Sequence, residues 1–303
     1  MNEHYPRIRV QANDGYVFIR DGLTFCFYMH RTHKGLGPAV LRAMNVFMQA
    51  VGPEALTIYP DTEGYWHQLN DDAWERIQKE LLETAGPYVM LASNSNGMSE
   101  FSFDYKGISK ENPGPFDGPE RACVATFKLT TEYLEQHGPG HVRELALELA
   151  SHLPFNSGYA SLSFNALIDE LGVRRRVRSM CFRYPGMDVL EDLVAWDIGT
   201  RIPGAYWLTF LGQPVLGELG GTEGLRSRLS SPGTTVQQLP GDRAVVTLGQ
   251  WPEAGDLEAG KNLPAYRELA RVLEPWLYHD PGTVFVHDFI PEDKLRWERR
   301  FLD

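Results

Sequence analysis

Tyr16-Val17-Phe18-Ile19-Arg20-Asp21-Gly22-Leu23-Thr24-Phe25-Cys26-Phe27-Tyr28-Met29 is the stretch on which the fold turns. Aromatic and β-branched residues dominate it, the composition of a strand. Asp21-Gly22 in its middle is a strong hairpin signal, so the stretch reads as two strands and a tight turn. The period then changes. Gly37-Pro38 opens a helix to about Val51, with Val40, Leu41, Met44, Phe47 and Met48 on one face and Gly52 past its end. Residues 56–59 read as a short strand. Asn70-Asp71-Asp72 caps a second helix over 73–84, whose buried stripe is Trp74, Ile77, Leu81 and Leu82.

Outward from there the alternation continues. Residues 88–92 and 100–105 read as an antiparallel pair, and 107–119 as a Gly/Pro-rich mobile loop or link. A strand over 121–129 precedes a short helix over 130–136, stopped at Gly138-Pro139-Gly140. A strongly amphipathic helix follows over 141–152, with Val142, Leu145 and Leu149 on one face. Strands are expected at 159–164 and 207–211, a helical turn at 225–229, and a hairpin of 234–238 with 243–248 around Pro240-Gly241-Asp242. The last core helix spans 263–278, and Trp297 and Phe301 dock the tail. Hairpins and helices without regular strand–helix alternation predict an α+β fold, a mixed, largely antiparallel sheet packed with amphipathic helices. The chain reads as one large domain over 1–303. Two packed halves linked near 107–120, and an old duplication, stay open.

Composition narrows the function. Hydrophobic residues at 43% exclude a disordered chain. A net charge of −11 repels phosphate backbones and anionic lipid, which argues against nucleic acid and membrane and for a basic protein partner. Mere solubility is the plainer reading of that charge. The start Met1-Asn2-Glu3-His4-Tyr5-Pro6 has no apolar core of a secretory signal, and no stretch of 18 apolar residues occurs, so a cytoplasmic protein is expected. Cys26, Cys123 and Cys181 sit in apolar runs without CxxC spacing and read as buried free thiols.

The chemistry-bearing patterns are sparse. His30-Arg31-Thr32-His33 has metal-ligand spacing but no third ligand nearby, so it reads as a polar strand end. The glycine-rich run 217–224 carries Glu218 and Glu223, which would repel a phosphate, so it reads as a tight bend. Asp71-Asp72 and Glu292-Asp293 fit helix N-termini. No catalytic residue, metal site or cofactor is assigned, and the chain reads as a binder rather than an enzyme.

Leu23-Thr24-Phe25-Cys26-Phe27-Tyr28-Met29, Thr131-Glu132-Tyr133-Leu134-Glu135, Arg143-Glu144-Leu145-Ala146-Leu147-Glu148-Leu149, Cys181-Phe182-Arg183-Tyr184-Pro185-Gly186, Phe210-Leu211-Gly212-Gln213-Pro214-Val215-Leu216-Gly217 and Leu263-Pro264-Ala265-Tyr266-Arg267 form a set. With them the chain resembles the type VI immunity protein family from about Tyr16 to Asp303. The resemblance implies an antidote that binds and neutralises a cognate secreted toxin, a nuclease in some relatives, by occluding its active site. For the contact surface the residues offer Asp61, Glu63, Tyr65, Trp66, Asp71 and Asp72, acids and aromatics in and after a turn. The plainer alternative packs Trp66 beneath the loop. Residues 104–120 are a second candidate. An enzyme with a scattered site, a regulatory interaction protein unrelated to toxins, and self-association through Trp196 or Trp207 remain as rivals.

Overall fold

The computed structural model describes residues 4–94, 97–109, 118–189, 194–280 and 291–303. Its elements are β1 (Arg9–Gln11), β2 (Val17–Met29), α1 (Gly37–Val51), β3 (Ile58–Pro60), β4 (Trp66–Gln68), α2 (Asp71–Glu83), β5 (Tyr88–Ala92), β6 (Ser102–Lys106), β7 (Cys123–Thr130), α3 (Thr131–His152), β8 (Ser157–Ala166), α4 (Val173–Cys181), β9 (Leu208–Leu211), α5 (Val215–Glu218), α6 (Gly221–Arg226), β10 (Thr234–Leu239), β11 (Arg243–Leu248), α7 (Pro264–Leu273) and α8 (Pro291–Glu298). The strands form one 11-stranded sheet in the order β10-β11-β9-β8-β2-β7-β6-β5-β3-β4, with β1 also on β2. Every ladder between these strands is antiparallel. The fold is α+β.

The opening stretch is a single 13-residue strand, not a hairpin. The expectation failed because Asp21-Gly22 has tertiary partners that outweigh its turn preference. Gly22 pairs with Thr130 on one side and Ser163 on the other. A Cβ on it would fall 2.2 Å from Asn165 Nδ2 and 2.7 Å from the Leu129 carbonyl, so glycine is there for close approach. Asp21 is fully buried: it accepts from the Ile8 amide (2.8 Å), pairs with Arg9, and accepts from the Thr131 hydroxyl at the start of α3.

Strand periodicity sorts the two faces. Ile19, Leu23, Phe25, Phe27 and Met29 join the main core under α1 and α3. Cys26 and Tyr28 face the other way, into a smaller core with Val124, Tyr159, Ala195, Ile198, Tyr206 and Tyr278. Chain after α4 thus covers the back of the central strands.

The helices follow their local signals. α1 has Pro at its first turn, and α2 is capped by Asn70, whose side chain accepts from the Ala73 amide at 2.9 Å. The two lie close because Gly37 has no Cβ, which would meet the Leu81 carbonyl at 2.1 Å. The two helices expected around Gly138-Pro139 run as α3, kinked at Gly138 (φ 80°). The glycine-rich run folds as α5 and α6 with positive φ at Gly220, between them, and at Gly221, the first residue of α6, the tight bend expected. Arg174, Arg175, Arg176 and Arg178, a cluster of basic residues, lie on helix α4. All three cysteines are free and buried. Trp207 lies in the core, as do Trp297 and Phe301 of the tail, while Trp196 is partly exposed. The link expected at 107–120 joins the neighbouring strands β6 and β7, and its residues 110–117 lie outside the described residues.

Candidate partner-binding surface

At one end of the sheet, β3 and β4 form a hairpin, and α2 follows directly. Its turn is built by Asp61. One carboxylate oxygen accepts from the amides of Glu63 and Tyr65, both at 2.9 Å, and the other meets His67 Nε2 at 2.7 Å. The bond to His67, with help from those amides, holds the Asp61 carboxyl below its usual range. Asp61 is therefore a turn-forming residue as well as a surface charge. Glu63 is exposed.

Tyr65 is 66% and Trp66 40% exposed, so the alternative in which Trp66 packs beneath the loop does not hold. The reason is position: β4 is the last strand, and all three of its residues are exposed. Asp71 and Asp72 are exposed in the first turn of α2, where carboxylates complement the helix dipole. The six residues do not form one cluster. Asp61, Glu63, Tyr65 and Trp66 gather at one end of β4, and Asp71 and Asp72 lie past the other. Five residue steps of extended chain lead from Trp66 to Asp71, roughly 17 Å at most.

Sequence reasoning missed the weight of charge here. Residues 54–83 carry eight carboxylates (Glu54, Asp61, Glu63, Asp71, Asp72, Glu75, Glu80, Glu83) against Arg76 and Lys79, a net −6 of the chain's −11. A windowed count of charge would have found it.

It also missed a buried polar cluster behind β8. Asp188 accepts hydrogen bonds from Tyr159 (2.6 Å) and Tyr206 (3.0 Å), whose rings stack at 4.0 Å. Burial pushes the Asp188 carboxyl up, against the pull of both hydroxyls and Arg300. The adjoining cavity, bordered by Tyr278, Glu298 and Arg300, measures about 50 Å³, space for one or two waters. A groove of about 630 Å³ runs between the start of α1 and the end of α2. Its imidazole, His33, is committed at both nitrogens, to the Tyr105 hydroxyl (2.7 Å) and the Leu81 carbonyl (2.8 Å). His30 bonds the Pro119 carbonyl at 2.9 Å, so the HxxH pair is structural. Among the described residues no group of three or more His, Cys, Asp or Glu is placed to hold a metal ion, and no helix is long and apolar enough to cross a membrane.

A solved structure, the Pseudomonas aeruginosa T6SS protein PA0821, is similar with a TM-score of 0.79 at 21% identity, over 97% of this chain and 87% of that one. That likeness shows a shared fold. A search of curated proteins finds no match. Residues 39–301 match the family TsiV, described as type VI immunity for VRR-NUC. With the match covering most of the chain, from α1 to the docked tail, this protein belongs to the type VI immunity family for VRR-NUC.

Proposed function

We propose that this protein neutralises a cognate VRR-NUC nuclease by direct, non-covalent occlusion, acting as one domain without catalysis or cofactor. The observation that carries the reading is the surplus of carboxylate on the β3–β4 hairpin and α2, beside exposed Tyr65 and Trp66. A nuclease must hold an anionic backbone, so its substrate surface is electropositive. A carboxylate-rich protein surface competes for it and speeds encounter. Aromatic side chains at the centre of such a contact carry most of the binding energy. An interface of standard size, ~1,600 Å² in total, suffices.

The protein would act in the cytoplasm, before the nuclease reaches nucleic acid. The enzyme alternative has little to recommend it, since the converging polar groups around Asp188 adjoin a cavity of only about 50 Å³. The test is a cleavage assay with the purified toxin of the neighbouring gene. Stoichiometric loss of cleavage is expected. Full cleavage at tenfold excess of this protein would end the proposal.

A further inference from the structure

The two ends of the sheet are finished differently. At the β10 end, the bond from Gly249 N to Gly233 O (3.2 Å) sets the ladder alternation, which turns the backbone groups of Thr234 and Val236 outward. Both are occupied. The Thr234 amide donates to the Ser231 carbonyl at 3.1 Å, and Arg226 Nη2 donates to the Val236 carbonyl at 2.9 Å. A side chain thus guards that edge.

At the other end, Asp61 N donates to Tyr65 O (2.9 Å) and Leu69 N to Thr57 O (2.7 Å). Alternation between those pairs turns the amides and carbonyls of Trp66 and Gln68 away from β3. Among the described residues no hydrogen bond reaches these outward groups, and both residues are exposed. β4 is short, but the other ordinary guards of an edge are missing: Trp66-His67-Gln68 holds no lysine and no proline, and its register with β3 runs without a bulge.

Building on the antidote reading above, we propose that β4 is a strand-docking edge: an extended segment of the cognate nuclease pairs with the backbone of Trp66 to Gln68. Backbone pairing supplies affinity in this mode, and side chains supply specificity. Here the specificity comes from Tyr65 and Trp66, which meet the segment's apolar residues, and from the carboxylates of 54–83, which select a basic one.

The experiment is amide hydrogen exchange on the full-length protein, alone and saturated with catalytically inactive nuclease, alongside binding by Gln68→Pro and Gln68→Ala. The proline variant removes an outward N–H that no hydrogen bond among the described residues uses. Expected are slowing of the Trp66 and Gln68 amides in the complex by more than about tenfold, and weakening of binding by about 30-fold for Gln68→Pro against about threefold or less for Gln68→Ala. A tight complex that leaves both amides exchanging freely overturns strand docking and spares the antidote reading. No complex with the wild-type protein removes both. Slowing that needs no nuclease and grows with protein concentration hands the edge to a second copy of this chain, which also overturns the proposal. The wild-type exchange data decide even if Gln68→Pro misfolds.

Discussion

The hydroxyl of Thr131, first residue of α3, donates to the carboxylate of Asp21 in the middle of β2 at 2.5 Å. That bond ties a buried charge in the central strand to the start of the longest helix. Around it Arg7, Arg9 and Arg20 share Glu132, and Arg7 reaches Glu135 at 2.8 Å. Removing one member of a buried, hydrogen-bonded charge network leaves the others uncompensated. Asp21→Ala is expected to cost about 3–5 kcal/mol, and Thr131→Val about 1–2 kcal/mol. Urea unfolding monitored by tryptophan fluorescence reads both. Equal, small losses would show that Asp21 is not the keystone of the network.

Gly37 predicts a helix-packing defect. Its Cβ would overlap a backbone carbonyl, at Leu81, rather than a flexible side-chain end. Gly37→Ala is therefore expected to force α1 and α2 apart and to cost about 1–3 kcal/mol. A melting temperature within a degree of wild type would contradict this.

His33 gives a pH dependence. Burial lowers its pKa, and the Leu81 carbonyl opposes that only in part. The unfolded chain, with an ordinary histidine near ~6.5, then binds the proton more readily than the folded one. Stability is complete above that value and declines as pH falls from ~6.5 towards the lower folded pKa. Melting curves between pH 7.5 and 5.5 should show this slope in the wild type and a flatter one in His33→Gln, in a window above the usual carboxylate titrations.

Asp188 separates charge from hydrogen bonding. Asp188→Asn keeps an oxygen for one of the two hydroxyls and turns its amide N–H to the other, which can accept from it, and is expected to cost less than about 2 kcal/mol. Asp188→Leu leaves two buried hydroxyls without their acceptor and should cost about 2–5 kcal/mol. A reversed order in thermal denaturation would mean that the carboxylate charge itself, facing Arg300, is the larger contribution.

The acidic surface predicts a kinetic phenotype. Glu63→Lys, Asp71→Lys and Asp72→Lys together change exposed side chains, and reversing the two carboxylates in the first turn of α2 should cost about 1–2 kcal/mol without unfolding the protein. Association with the nuclease is expected to slow by about 10-fold or more at low salt, and the deficit to shrink as salt screens it. Asp61 is left out of this set because reversing it would also undo the turn. Stopped-flow association at two ionic strengths settles the matter, and unchanged rates would move the contact elsewhere.

What could be read before the structure divides by the range of the interactions involved. α1 and α2 were legible because Pro38 and Asn70 act on their own first turns. The Asp21-Gly22 hairpin was misread because Thr131 and Asn165, which overrule it, lie more than a hundred residues away. β4 went unseen: three exposed residues show no alternation. The acids and aromatics of the hairpin were legible as surface, but the part Asp61 plays in its turn was not. Tyr159 and Tyr206 converge on Asp188 from 29 and 18 residues away in the chain, a meeting no spacing rule describes.

The central place of β2 also has a consequence for synthesis. This strand leaves the ribosome early, but Tyr28 pairs with Ser157 and Ile19 with Ala166. At about 5–20 residues per second, translation takes on the order of ten seconds to deliver those partners. Until then β1, α1 and β7 can cover part of it, but one long edge of the future middle strand stays open to other chains. A cell struck by a nuclease gains nothing from chains begun at that moment; its protection rests on molecules finished before the attack.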